Sequence, residues 1–277
     1  MDQDSILLVG CGNMGFAMLK GWIDRNPDQI IYVVEPEPSL RTRALQQGVH
    51  ACSAPSELNP ACQPGLVFFA VKPQLMAAIV PHYRRFAGHH TGRGQICFVS
   101  IAAGVTLAQI GAHLPEVTPI VRVMPNTPAA IGHGMMVACA GHDVEDASRM
   151  RIDALLQACG QTAWVDDETL LDAVTAISGS GPAYLFHFIE CLVQAGRKLG
   201  LDQRLATQLA VQTVYGSAAL AQQKGEPSKL REQVTSPGGT TEAALSVLMG
   251  DEARCLNLIE QATCAAFNRS RELGSKL

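Results

Sequence analysis

Twelve of the fifteen prolines fall within the first 128 residues, and only Pro182, Pro227 and Pro237 occupy the remaining 149. Proline removes a backbone donor and clashes with the preceding helical turn, so long unbroken helices belong to the second half. The distribution predicts two architectures in 277 residues, a length that suits one large domain or two medium ones. With 47% hydrophobic and 17% charged residues the chain can bury a core, which excludes disorder as its main theme. A net charge of −4 argues against a general polyanion binder, and 5% aromatic residues are thin for a base-stacking platform. No nucleic-acid partner is expected.

Nine cysteines without a CxxC pair read as reduced thiols of a cytoplasmic protein. The start "MDQDSILLVG" is acidic and reaches a strand at once, unlike a signal peptide. Two uncharged stretches, "AVTAISGSGPAYLFHFI" and "LATQLAVQTVYGSAALAQQ", are broken by Gly, Pro and His or by glutamines, so no membrane partner is expected. HExxH is absent and the His89-His90 pair has no nearby carboxylate, so no metal is expected.

In the first half, apolar runs alternate with helical spacing. "SILLVG", "QIIYVV", "GLVFFAV", "QICFVSIAAG", "TPIVRVMPNTP" and "GMMVACA" read as strands. "GLVFFAV" is nearly continuous, as strands of a parallel sheet covered on both faces are. "NMGFAMLKGWID" sets Met14, Ala17, Met18 and Gly21 on one helical face with Trp22 beside them, and "LRTRALQQG" is a short helix with Gly48 as its C-cap. The alternation predicts a parallel α/β sheet, with "AGHHTGRG" as a loose surface turn.

Gly10-Cys11-Gly12-Asn13-Met14-Gly15 is a G-x-G-x-x-G hexad that follows a strand and opens a helix. In that context the glycines permit a tight turn and close backbone approach to a pyrophosphate at the helix N-terminus. A purely structural turn is the alternative, and the missing G-K-[ST] weakens a triphosphatase reading. Glu35, 20 residues beyond Gly15, stands where an acidic side chain accepts from an adenosine ribose 2′-hydroxyl. A carboxylate there suits NAD, while nearby Arg41 and Arg43 leave NADP open.

From Asp146 the period changes. "VEDASRMRIDALLQACG" reads as a helix with Ala147, Met150, Ala154 and Leu155 as its stripe, and "TAWVDDETLLDAVTAI" as a link and a helix. Next, "SGSGPAYLFHFIECLVQAGRKLG" aligns Tyr184, His187, Phe188, Cys191 and Leu192. "LDQRLATQLAVQTVYGSAALAQQKG" carries a band of Leu201, Leu205, Gln208, Leu209 and Gln212. Sparsely charged helices need burial on more than one side, either by a partner subunit or in the centre of a monomer. In "EQVTSPGGTTEAALSVL", Thr235 or Ser236 can cap a helix with Pro237 in its first turn. The glycine-rich start reads as an anion site, with Thr240 and Thr241 offering hydroxyls beside it.

"VGCGNMGFAM", "FFAVKPQ", "VSIAAGV", "RVMPNTPAAIGHG", "AISGSGPAYLF" and "VTSPGGTTEAAL" together resemble the pyrroline-5-carboxylate reductase family in order and spacing, from about residue 5 to residue 270. The resemblance implies an α/β Rossmann-like N-terminal domain, drawn at 1–163, followed by an all-α helical-bundle dimerisation and substrate domain, 164–277. It implies NAD(P)H, bound non-covalently, reducing the C=N bond of (S)-1-pyrroline-5-carboxylate to L-proline, in a homo-oligomer built from dimers. By the same resemblance Gly10, Gly12, Asn13, Met14 and Gly15 cradle the pyrophosphate, and Ala70, Val71, Lys72 and Pro73 line the ribose and nicotinamide side. Asn126 lies near the nicotinamide end. Thr241 hydrogen-bonds the substrate ring nitrogen, Gly239 and Thr240 offer N–H groups to its carboxylate, Gly238 stands with them among the substrate-binding residues, and Ser178 lies beside the pocket. One departure is visible: the family's asparagine after the third strand is absent from "VHACSAPSEL", where Ser53 stands in its vicinity.

No His–Asp pair is needed if the imine arrives protonated, because the task left to the protein is orientation. His133 and His187 are therefore expected in structural roles, and Lys72 as a positioning contact rather than an acid. The alternative is a β-hydroxyacid dehydrogenase-like NAD(P)-dependent oxidoreductase. That class needs a lysine on a helix of the second domain, whereas Lys198 stands at its helix's far end. A non-catalytic NAD(P)-sensing or vitamin B6-binding protein is a third possibility.

Overall fold

The apolar runs of the first half become the strands of one sheet. The computed structural model describes residues 5–60, 62–88, 90–91, 94–250 and 254–275. The chain opens with β1 (Ile6–Val9), α1 (Asn13–Arg25), β2 (Ile31–Val34), α2 (Pro38–Leu45), β3 (His50–Cys52), β4 (Leu66–Phe69) and α3 (Met76–Ile79). A two-residue hairpin, β5 (His90–Thr91) with β6 (Gly94–Gln95), occupies the expected surface turn, of which His89, Gly92 and Arg93 lie outside the described residues. Then come β7 (Cys97–Ser100), α4 (Leu107–Gly111), β8 (Ile120–Met124), β9 (Gly134–Ala140), α5 (Asp146–Gln157), β10 (Gly160–Val165) and α6 (Leu170–Val174). Prolines 55, 73, 81 and 128 stand in the first turns of short 3-10 helices, which is why this half holds few long helices.

The sheet order is β10-β9-β8-β7-β4-β1-β2-β3, parallel throughout except where β9 runs antiparallel to β8. After β3 the chain crosses back to place β4 on the other side of β1. In an open doubly wound sheet that reversal leaves a crevice at the carboxyl ends of the two central strands. Alternate residues of β1 feed the two faces. Ile6 and Leu8 join a core with Trp22, Phe68 and Ile152, while Leu7 and Val9 join one with Phe69, Tyr83 and Phe98.

Two expectations are corrected. The "GQTAWV" stretch, expected as a link, is β10, an edge strand paired with β9. The inward face of α5 is Ser148, Ile152 and Leu156, with Met150 fully on the outside. The sheet, not the apolar count along the helix, decides which side faces in.

Residues 1–180 and 266–277 form one compact unit, and Gly181–Ala265 a second. The expected boundary after residue 163 falls inside β10, and α6 stays with the sheet because Leu171 is buried with Val137 and Cys139. The second unit holds α7 (Gly181–Lys198), α8 (Gln203–Lys224), α9 (Pro227–Gln233), α10 (Thr240–Met249) and the first part of α11 (Arg254–Ser275). Asp202 caps α8 by accepting from the Leu205 N–H at 2.9 Å. Its buried contacts run through small residues, Ala206 and Ala210 against Val193. Leu205 and Leu209 of the expected band, and Phe188 of α7, stay exposed.

Candidate active site

β1 delivers the chain into the crevice at Gly10, whose φ of +88° suits only glycine without strain. A Cβ there would sit 2.8 Å from both the Ala70 carbonyl oxygen and Val71 Cγ1. At Gly15, inside α1, a Cβ would stand 2.5 Å from the Gly10 carbonyl oxygen. These two glycines are required by the protein's own packing. Gly12 differs: a Cβ there meets nothing within 4 Å. It borders two cavities, of about 530 and 420 Å³, that share Ala70, Val71 and Lys72. Gly12 thus keeps open a space that the fold itself does not use, at the N-terminus of α1, as a pyrophosphate cradle requires. The residues present fit a dinucleotide.

The larger cavity lies on the β2 side and includes Glu35, Glu37, Ser53, His82 and Tyr83. Glu35 is buried, and its carboxylate accepts from the N–H of Cys11 at 2.6 Å and of Glu37 at 2.9 Å. Arg41 donates to the carbonyls of Glu35 and Pro36, both at 2.9 Å. Arg43 donates to the Cys11 carbonyl at 3.0 Å and lies 4.0 Å over the Phe16 ring. The backbone of Cys11 is therefore held by a carboxylate at its N–H and a guanidinium at its carbonyl. Burial pushes the Cys11 thiol up to about 11, against the lowering effect of Arg43 and with a further raise from Glu35. Ser53 binds Glu57 through its N–H and hydroxyl, which holds the Glu57 carboxyl below its usual range.

The smaller cavity takes in Asn13, Met14, Pro73, Met124, Asn126 and Gly179. The Asn126 amide uses both its oxygen and its nitrogen within the protein. Its Oδ1 accepts from the Met135 N–H at 2.8 Å, and its Nδ2 donates to the Ser178 carbonyl at 3.0 Å. It ties the β8–β9 connection to a π-helical turn, Thr175–Gly179. Ser178 itself turns away, its hydroxyl donating to the Val174 carbonyl at 3.1 Å, and Gly179 lines the cavity in its place. Such single π-turns recur at functional sites.

In the helical unit, α10 begins at Thr240 with Gly239 as N-cap and no side-chain cap, so neither Thr235 nor Ser236 plays that part. Gly238, at φ +70°, donates to the Glu242 carboxylate at 2.7 Å, and Gly239 donates to the Ser236 carbonyl at 3.0 Å. Those two N–H groups shape the turn and are not free for a ligand, contrary to expectation. Thr240 and Thr241 lie in the first turn, whose N–H groups have no intrahelical acceptor. Thr241 is half-buried. His187 is exposed beside Glu190, at 3.1 Å, and His133 is exposed before β9. Among the described residues no group of three His, Cys, Asp or Glu is placed to hold a metal.

Sequence reasoning missed the Arg43 grip, which joins residues 32 apart without a local signature, and the inward engagement of Asn126.

Sheet order, glycine turn and a match of residues 5–104 to the model "NADP oxidoreductase coenzyme F420-dependent" define a nicotinamide-dinucleotide-dependent oxidoreductase. Residues 168–273 match the model "Pyrroline-5-carboxylate reductase dimerisation". The chain belongs to the pyrroline-5-carboxylate reductase family. The Pseudomonas aeruginosa pyrroline-5-carboxylate reductase is 37% identical over 279 residues, covering 100% of this chain and 99% of that protein. The solved Coxiella burnetii pyrroline-5-carboxylate reductase is 32% identical with a TM-score of 0.89, over 99% of both chains. The Plasmodium falciparum pyrroline carboxylate reductase, solved with NADP bound, is 26% identical with a TM-score of 0.82, also over 99% of both. This membership sets aside the β-hydroxyacid dehydrogenase alternative.

Proposed function

We propose that the protein reduces the C=N bond of (S)-1-pyrroline-5-carboxylate to L-proline, the last step of proline biosynthesis, with NAD(P)H bound non-covalently. The observation that carries this is the whole-length likeness to pyrroline-5-carboxylate reductases, which takes in the sheet unit and the helical unit alike. The sheet unit holds the dinucleotide through Gly10, Gly12, Asn13, Met14 and Gly15, with Ala70, Val71, Lys72 and Pro73 along the cavities that follow. When bound, the cofactor supplies the hydride.

The helical unit handles the imino acid. The first-turn N–H groups of Thr240 and Thr241 take its carboxylate, where the helix dipole favours negative charge. The Thr241 hydroxyl hydrogen-bonds the ring nitrogen. A threonine hydroxyl is a poor acid, so its part is orientation of an imine that arrives protonated. Gly238 and Gly239 shape that turn, and Asn126 and Ser178 hold the π-turn in place. The protein acts as a homo-oligomer built from dimers through its helical unit. Among the described residues the cysteines form no disulfide, as thiols kept reduced in a cytoplasmic location would, and no helix is long and apolar enough to cross a membrane.

Purified protein is expected to oxidise NADH or NADPH only when pyrroline-5-carboxylate is added. Thr241→Ala should lower kcat/KM for the imino acid by about 10- to 100-fold, the cost of roughly one strong hydrogen bond, while dinucleotide titration stays unchanged. A folded wild-type sample without turnover on either cofactor overturns the proposal.

A further inference from the structure

We propose that the β2 side of the dinucleotide site selects the unphosphorylated cofactor, NADH, and that Glu35 is the specificity-determining residue. This rests on the dinucleotide reading of the two cavities. A carboxylate offers about four lone-pair sites, and Glu35 uses two of them on the Cys11 and Glu37 N–H groups. Capacity remains for a ribose 2′-hydroxyl, which can donate. A 2′-phosphate cannot donate when ionised, and it carries a charge of about −1.5 to −2 into the same place. Glu35 has little freedom to withdraw, since it is buried and its two oxygens are pinned by separate backbone donors.

Relief would have to come from a cation, and the nearby arginines stand outside the cavity lining, anchored on backbone carbonyls, Arg41 through Nη1 and Arg43 through Nη2, with the buried Arg43 Nε left without a partner. Arg41 bridges the Glu35 and Pro36 carbonyls, and Arg43 grips the glycine turn while stacked on Phe16. No arginine is among the described residues lining the larger cavity. Its one lysine is Lys72, which stands where the two cavities meet, and its one histidine is His82 on the 3-10 stretch after α3. Against them stand Glu35 and Glu37 in the lining itself. Ser53, the hydroxyl nearest in sequence to the family's missing asparagine, donates to a further carboxylate, Glu57. The NADP named in the matching family model therefore fits these residues less well than NAD does.

The adenosine half can be tested without turnover, by calorimetric titration of the wild-type protein with ADP-ribose and with 2′-phospho-ADP-ribose. ADP-ribose should bind at least about tenfold more tightly, as like-charge juxtaposition requires, and added salt should narrow the ratio by screening. Glu35→Gln should bring the ratio towards one. Glutamine offers one acceptor oxygen to two donors, so this variant is first checked for native circular dichroism. Glu37→Gln, at an exposed position, provides a second variant and should narrow the ratio by a smaller factor. A wild-type ratio at or below one overturns the selectivity while leaving the dinucleotide site intact. An unchanged ratio in folded Glu35→Gln overturns the assignment to Glu35. Absence of binding by either ligand overturns the site and the selectivity together.

Discussion

The backbone of Cys11 is the point where the glycine turn is fixed, because Glu35 takes its N–H and Arg43 donates to its carbonyl. A planar guanidinium can bond carbonyls and stack on an aromatic face at once, and an ammonium cannot. Arg43→Lys is therefore expected to cost about 1.5–3 kcal/mol of stability, the range for charged hydrogen bonds, and to weaken NADH binding. Urea denaturation and fluorescence titration measure the two effects. Equal stability and affinity in the lysine variant would mean that the charge alone is enough. The pairing was half legible in the sequence. Glu35 could be placed from its distance to the glycines, but Arg43 only left a phosphate contact open, because nothing local ties residue 43 to residue 11.

At the scale of elements, two glycines of one turn answer to different constraints and should part company when replaced. Gly15→Ala puts a methyl 2.5 Å from the Gly10 carbonyl within the packed β1–α1 junction. Alanine's helix propensity favours the change by about 1 kcal/mol, but backbone cannot yield to such a contact, so thermal stability should fall. Gly12→Val places its Cβ in open space, so stability should fall by no more than the roughly 1 kcal/mol that an unfavourable N-cap costs, while NADH titration loses most of its signal. A Gly12 variant that loses more stability than this, or still binds normally, contradicts the cradle. The sheet's central strands were legible because burial on both faces demands continuous apolar runs such as "LVFF" in β4. β10 was not, since an edge strand needs no such run. Its Trp164 is covered by Arg149 at 4.5 Å and donates to Asp153, contacts that only the fold creates. The face of α5 was misread for a related reason: Met150 has the right spacing, but the sheet lies on the side of Ile152 and Leu156.

Over the whole molecule, buried thiols set an alkaline limit. Burial raises Cys11 to about 11 and Cys97 and Cys159 to about 12, from ordinary values near 9, and Tyr83 also moves up. Below pH 9 these thiols are protonated in folded and unfolded chains alike. Above it the unfolded chain ionises first, so stability falls as pH rises towards 11–12, by up to about 1.4 kcal/mol per pH unit for each group. The urea midpoint under reductant should accordingly drop between pH 8 and pH 10, and a constant midpoint would show that the folded thiols ionise as freely as exposed ones. The helical unit sets a second limit. It buries Val193, Ala206 and Ala210 yet leaves Leu185, Phe186, Phe188, Leu209 and Tyr215 exposed. A cluster that small offsets little of the entropy of ordering its helices. The unit coincides with much of the region matched to a dimerisation model, so a second copy is the expected cover. Light scattering at micromolar concentration should find a dimer or larger, and Phe186→Glu should shift the protein towards monomer or into aggregates. A stable, folded 29.5 kDa wild-type species would show that the exposed leucines and phenylalanines need no partner.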